Sequence, residues 1–195
     1  QILAQRLIDA GHYDYAIVVG GEVQSKFIVS GFQAFKSVSD EPCRPFDIER
    51  LGLNLGEGAA TIIMASPTVS ENKGWTMEGG YIRNDAYHLS APHPQGEGYL
   101  HALDGAMEGH TADELATVGV HGTATMYNDQ MESKAIQRAE LSGIPLTSLK
   151  GYYGHTLGAT GVIEPILTMC ATDDGIILGA KGFEEIGVSG KVNIS

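Results

Sequence analysis

Two short apolar runs constrain this chain more than any other feature. Residues 15–21 (YAIVVGG) and 59–65 (AATIIMA) are too short for buried helices and are bounded by glycines or turn residues, so both read as buried strands. Around them the apolar residues change period. Residues 1–8 read as the middle or end of an amphipathic helix stopped at Gly11, and residues 25–35 as a second helix before a proline- and charge-rich loop over 37–58. Strand and helix in alternation make an α/β chain.

The alternation continues after the turn residues 66–74. Residues 75–83 read as an extended strand, 84–98 as a loop containing Pro92, Pro94 and Gly96, and 98–108 as a helix on the spacing of Tyr99, Leu103 and Met107. A short buried strand over 116–120 runs into His121. Residues 128–141 read as a helix capped by Asn128 or Asp129, 146–149 as a strand, and the segment from Gly154 as a glycine-rich turn opening a last helix. There Ala159, Val162, Ile163, Ile166, Leu167 and Cys170 share one face and are expected to meet the core, while Pro165 demands a kink or a later start. Ligands in open α/β sheets gather beyond the carboxyl ends of strands, where His121 and His155 fall.

Charge narrows the partners. The 195 residues carry 12 Lys and Arg against 24 Asp and Glu, a formal net charge of −12, and no basic block offsets that field, so nucleic acid is not an expected partner. The longest apolar runs fall short of the ~20 residues of a membrane-spanning helix. Cys43 and Cys170 are too few for a disulfide framework and lack zinc spacing, which fits a reducing cytoplasm. His12, His88, His93, His101 and His110 have no metal-binding companions, so no metal is expected.

Two motifs carry chemistry. In HGTAT (121–125) a histidine, a glycine and two hydroxyls share a tight loop after a strand; it reads either as a site or as a turn in which Thr123 and Thr125 bond the backbone. LKGYYGHTLGATG (149–161) adds Lys150 and His155 near a helix N-terminus, whose dipole favours a neutral imidazole able to donate to a developing oxyanion. A phosphate cradle is the rival there, weakened by the missing Walker order. Asp129-x-x-Glu132 reads as a capping box, and Glu132 also offers a carboxylate to pair with Lys150. Cys43 reads as incidental and Cys170 as core.

Together, RPFDIERLGLNLGEGAA (44–60), HGTAT with the following NDQMES, and SLKGYYGHTLGATG resemble the β-ketoacyl-acyl carrier protein synthases, the decarboxylating condensing enzymes of the thiolase fold. The resemblance implies an αβαβα layered α/β fold, represented by the end of the N-terminal half (1–74) and most of the C-terminal half (75–195, lacking its last strand). It implies a homodimer that takes acyl and malonyl groups from acyl carrier protein and needs no cofactor. In the family a cysteine holds the acyl chain and two histidines hold the enolate formed as malonyl loses CO₂.

The resemblance places those histidines at His121 and His155, with Lys150 and Glu132 as a supporting ionic pair in the catalytic centre. Thr123 and Thr125 are expected to bond the pantetheine arm, and DAYHLSAP (85–92), with His88 and Ser90, to line its tunnel. The nucleophilic cysteine is expected several residues before Gln1, so this chain alone is expected not to condense acyl groups. The rival reading is a non-catalytic partner subunit resembling chain-length factors.

Overall fold

The computed structural model describes residues 1–71 and 74–195; residues 72 and 73, within the expected turn over 66–74, lie outside the described residues. Both apolar runs form strands. β1 (Tyr15–Glu22) and β2 (Gly58–Ala65) pair antiparallel, with Ile17 opposite Ile63 and Val19 opposite Thr61. Between them α2 (Lys26–Ala34) starts at Ser25, whose hydroxyl accepts from the Ile28 N–H at 3.3 Å.

A second sheet is parallel. β3 (Val118–Gly119) and β5 (Asn193–Ile194) flank β4 (Pro145–Thr147). Helix α6 (Thr160–Asp173) packs against β1, β2 and β3, and therefore lies between the sheets. Its approach to β1 is close: a Cβ on Gly20 would stand 2.9 Å from Val162 Cγ2, so glycine is required there. On β4 the side chains alternate. Leu146 enters the main core with Phe46, Val120, Ile136 and Leu141, whereas the Thr147 hydroxyl donates to the Leu178 carbonyl. Helix α3 (Glu97–Ala106) packs on α4 (Met126–Arg138), and Tyr99, Leu103 and Met107 rest on that core as their spacing requires. The layers run sheet, α6, sheet, α3 and α4.

The structure corrects several expectations. The β1–β2 pair is not buried on both faces: Ile17 and Val19 of β1 and Ile63 of β2 are each 69% exposed, because α1 (Ile2–Asp9) and α6 cover only the opposite face. No strand forms over residues 75–83. A strand needs a ladder partner, and here side chains engage the segment instead: Gln5 Nε2 donates to the Met77 carbonyl at 2.7 Å, and Trp75 Nε1 donates to Asp173 at 3.1 Å. Helix α6 starts late, after a 3₁₀ turn over Leu157–Ala159, and runs on through Pro165. The Gly161 carbonyl that Pro165 leaves without its usual donor accepts from Gln1 Nε2 at 2.8 Å. Ala159 and Val162 are buried as expected, but Leu167 and Cys170 on the later turns are exposed.

Candidate active site

The loops leaving the carboxyl ends of β3 and β4 lie side by side. The first, residues 121–125, is held by its backbone. The N–H groups of His121 and Gly122 donate to Glu132 at 2.6 and 2.8 Å, and that of Thr123 donates to Asp129 at 3.0 Å. The three carbonyls are also taken: His121 O by Lys150 Nζ at 2.5 Å, Gly122 O by the Ser148 hydroxyl at 2.9 Å, and Thr123 O by the Cys43 thiol at 3.7 Å. The loop turns through left-handed φ at Gly122 (46°) and at the fully buried Ala124 (59°). A Cβ on Gly122 would sit 2.4 Å from Ser148 Oγ.

Helix α4 begins at Met126 with Thr125 as its N-cap residue, so Asn128 and Asp129 do not cap it and Asp129-x-x-Glu132 is not a capping box. The two carboxylates instead reach back to the preceding loop. Asp129 also accepts from the Phe46 N–H at 2.8 Å, fixing Phe46 in a left-handed conformation at φ 64°, and Arg50 Nε lies 3.8 Å from it. Burial pushes the Asp129 carboxyl up to about 6.

The expected Lys150–Glu132 pair does not form. Lys150, the first residue of α5 (Lys150–Tyr153), is buried and donates from Nζ to Glu164 Oε1 at 2.8 Å as well as to the His121 carbonyl. Glu132 is already satisfied by two backbone N–H groups and the Tyr99 hydroxyl, which donates at 2.6 Å. An ammonium lying between one free carboxylate and one carbonyl serves those.

His155 follows Gly154 and runs beside residues 54–56, its N–H donating to Asn54 O at 2.7 Å and its carbonyl accepting from Gly56 N at 3.0 Å. Its Nδ1 accepts the Leu157 N–H at 3.2 Å and faces the Thr160 hydroxyl at 3.1 Å. A ring nitrogen that accepts from a backbone amide carries no proton, so the neutral ring bears its hydrogen on Nε2. The His121 and His155 rings meet edge to face, centroids 5.0 Å apart at 81°.

Both rings are held neutral. Desolvation first, then the Lys150 charge and His155, push His121 down to about 3; desolvation and Lys150 push His155 down to about 4. His155 is buried, whereas His121 is packed on one side and exposed on the other, so desolvation by its surroundings and the Lys150 charge hold the rings neutral, where the sequence suggests a helix dipole. Two neutral imidazoles can supply N–H donors to one oxygen that gains charge during a reaction.

The remaining expected residues divide. Thr123 and Thr125 lie in the clamped loop with their hydroxyls 2.9 Å apart. His88 and Ser90 lie in an exposed loop, where the Ser90 N–H donates to His88 Nδ1 at 3.2 Å, and neither contacts the histidine pair. Cys43 is buried, and burial pushes its thiol up to about 11. Sequence reasoning missed Glu164, Tyr99, Asn54 and Arg50. Glu164 left one signal, an ionisable residue inside the apolar run of α6; the other three only find their partners through tertiary packing.

Known proteins resemble the chain throughout. Residues 2–68 match the family model for the beta-ketoacyl synthase N-terminal domain and residues 76–184 that for the C-terminal domain. A 3-oxoacyl-acyl-carrier-protein synthase 2 of Staphylococcus aureus is 32% identical over 189 residues, 89% of this chain and 47% of that protein. Among solved structures, a ketosynthase in complex with its chain length factor from Xenorhabdus doucetiae superposes with a TM-score of 0.90 at 32% identity, covering 100% of this chain and 49% of the other. A beta-ketoacyl synthase from Burkholderia phymatum STM815 gives 0.88 at 29% identity, covering 98% of this chain and 50% of the other. The chain spans about half the length of the curated relatives it matches.

Proposed function

The chain belongs to the β-ketoacyl synthase family and carries part of its thiolase-like layered α/β fold, the end of the N-terminal half and most of the C-terminal half, and from that premise we propose that His121 and His155 promote decarboxylation of a malonyl thioester. The observation that carries this reading is the pair of neutral imidazoles in edge contact beside Lys150. In the step, the bond between the malonyl carboxylate and the α-carbon breaks, CO₂ leaves, and the electron pair passes into the thioester carbonyl. The two N–H donors meet the oxygen as it becomes an enolate and bind it more strongly than the ground-state carbonyl. The enolate carbon then attacks an acyl thioester and expels its thiolate, or takes a proton from water when no acyl group is present.

The acyl-bearing thiol is neither cysteine of this chain. Cys43 is buried on the Thr123 carbonyl, and Cys170 lies ten residues along α6 from Thr160, about 15 Å at a helical rise. By itself the chain is therefore expected to decarboxylate without condensing. Lys150 positions the His121 carbonyl, Glu132 its amide, and Thr123 and Thr125 with His88 and Ser90 receive the pantetheine arm. The thioester is delivered by acyl carrier protein, named in the relatives' activity, to a homodimer in the cytoplasm, a compartment in keeping with two free cysteines. The division into 1–74 and 75–195 belongs to the same reading.

Release of ¹⁴CO₂ from malonyl-acyl carrier protein tests it. His121→Ala and His155→Ala should each slow release by about 10²- to 10³-fold, the usual cost of one oxyanion donor. An unmodified chain that folds but releases no CO₂ would favour the non-catalytic, chain-length-factor-like role.

A further inference from the structure

Among the described residues Glu132 has three donors: the His121 and Gly122 amides and one side chain, Tyr99, which comes from a different helix. The tyrosine ring packs on the core formed by Phe46, Val120, Ile136, Leu141 and Leu146, and its hydroxyl donates to the same oxygen, Oε1, that carries the His121 amide. We infer that Tyr99 is a positioning residue of the histidine site: its hydroxyl, 2.6 Å from Glu132 Oε1, fixes the carboxylate that carries the backbone of His121 and Gly122.

The physics is a matter of donors. The His121 amide and the Tyr99 hydroxyl donate to Oε1 and the Gly122 amide to Oε2, so a proton on either oxygen opposes a donor already there, and only the ionised form accepts all three without competition. Ionisation in a fully buried position depends on hydrogen bonds. Desolvation raises the Glu132 carboxyl above its ordinary range, against which Tyr99, the two amides and the Lys150 charge act. Lys150 is committed to Glu164 and the His121 carbonyl, so among the described residues the phenol is the one side-chain hydrogen bond that favours the charge. Asp129 on α4 and Glu164 on α6 add negative charge nearby, and His121 in the loop is neutral. Tyr99→Phe keeps the packed ring and removes the donor. Glu132 then protonates at higher pH, and whatever requires the clamped loop is lost earlier as pH falls.

Two readouts follow. By amide hydrogen exchange in the full chain, Tyr99→Phe should speed exchange at His121 and Gly122 about tenfold, the scale of a hydrogen bond to a charged group. Rested on the decarboxylation reading, kcat for malonyl-acyl carrier protein should fall about tenfold at neutral pH with KM little changed, and the acid limb of the pH profile should move up. Unchanged exchange at both amides in a folded Tyr99→Phe chain overturns the proposal, as does a rate loss equal at every pH. If the unmodified chain does not decarboxylate, the functional reading fails while exchange still decides the role of Tyr99. Should Tyr99→Phe not fold, the unmodified chain provides the measurement: a slowly exchanging tyrosine hydroxyl proton far downfield, lost in Glu132→Gln, is expected, and its absence overturns the proposal.

Discussion

The loop over 121–125 and the loop over 84–96 both carry histidines and hydroxyls and are held differently. In the first, the backbone groups of residues 121–123 are taken by Glu132, Asp129, Ser148, Lys150 and Cys43, all of them buried. In the second, residues 81–90 are exposed and their hydrogen bonds lie at the surface: Asp85 accepts from the His93 and Gly98 amides, Asn84 from Ala86, and His88 from Ser90, while α4 holds the loop's end, where Lys134 and Arg138 donate to the Pro94 and Gln95 carbonyls. A histidine in the first loop is placed to about the accuracy of the fold, which an oxyanion donor needs. A histidine in the second stands at the surface, as residues that meet a ligand arriving from solvent do.

The largest test of that contrast removes the cation that joins the site. Lys150→Met should lower stability by about 3–5 kcal/mol, the usual cost of stranding a buried partner, because Glu164 and the His121 carbonyl both lose their donor. Urea denaturation gives the figure. A loss below about 1 kcal/mol would mean that the loop over 121–125 does not depend on its distant partners.

The second test uses pH. His155 titrates at about 4 in the folded chain against 6.5 for an ordinary histidine. The unfolded chain therefore takes up a proton as pH falls from about 6.5 to about 4 while the folded chain does not, so this group lowers stability through that window and is silent above it. The difference amounts to about 3 kcal/mol by pH 4. Asp129, raised to about 6, acts with the opposite sign because its folded form gains the proton first. Comparing the unmodified chain with His155→Asn isolates the histidine, since asparagine can still accept the Leu157 amide. Parallel stability curves between pH 4 and 6.5 would show that His155 is not held neutral.

The contrast also marks what a sequence reveals. Periodicity located β1, β2, α3 and α6 because each is written in consecutive residues. The spacing of Tyr99, Leu103 and Met107 found the face that meets the core. Periodicity failed over residues 75–83, where extended-looking residues have no strand beside them, and at Cys170, where nothing marks the point at which α6 leaves the core. At the site, the histidines, Lys150 and both carboxylates were visible as residue types. Their pairing was not: whether Lys150 meets Glu132 or Glu164 depends on which acid is already satisfied, and Tyr99, 33 positions away from Glu132, settles that.

The smallest expected effects belong to the exposed loop. His88→Ala and Ser90→Ala remove side chains whose surroundings are solvent and their own loop, so stability should change by no more than about 0.5 kcal/mol. If the loop receives the pantetheine arm, each substitution should raise KM for malonyl-acyl carrier protein severalfold and leave kcat near its unmodified value, since uniform binding is lost and the donors at His121 and His155 are untouched. Thr123→Val in the clamped loop sharpens the comparison, because its hydroxyl lies 2.9 Å from Thr125 in a buried position and its loss should cost stability as well as binding. A fall in kcat for His88→Ala as large as for His121→Ala would place the exposed loop in the same rigid unit as the histidine pair. The exposure of residues 81–90 would then be a poor guide to how they are held when substrate is bound.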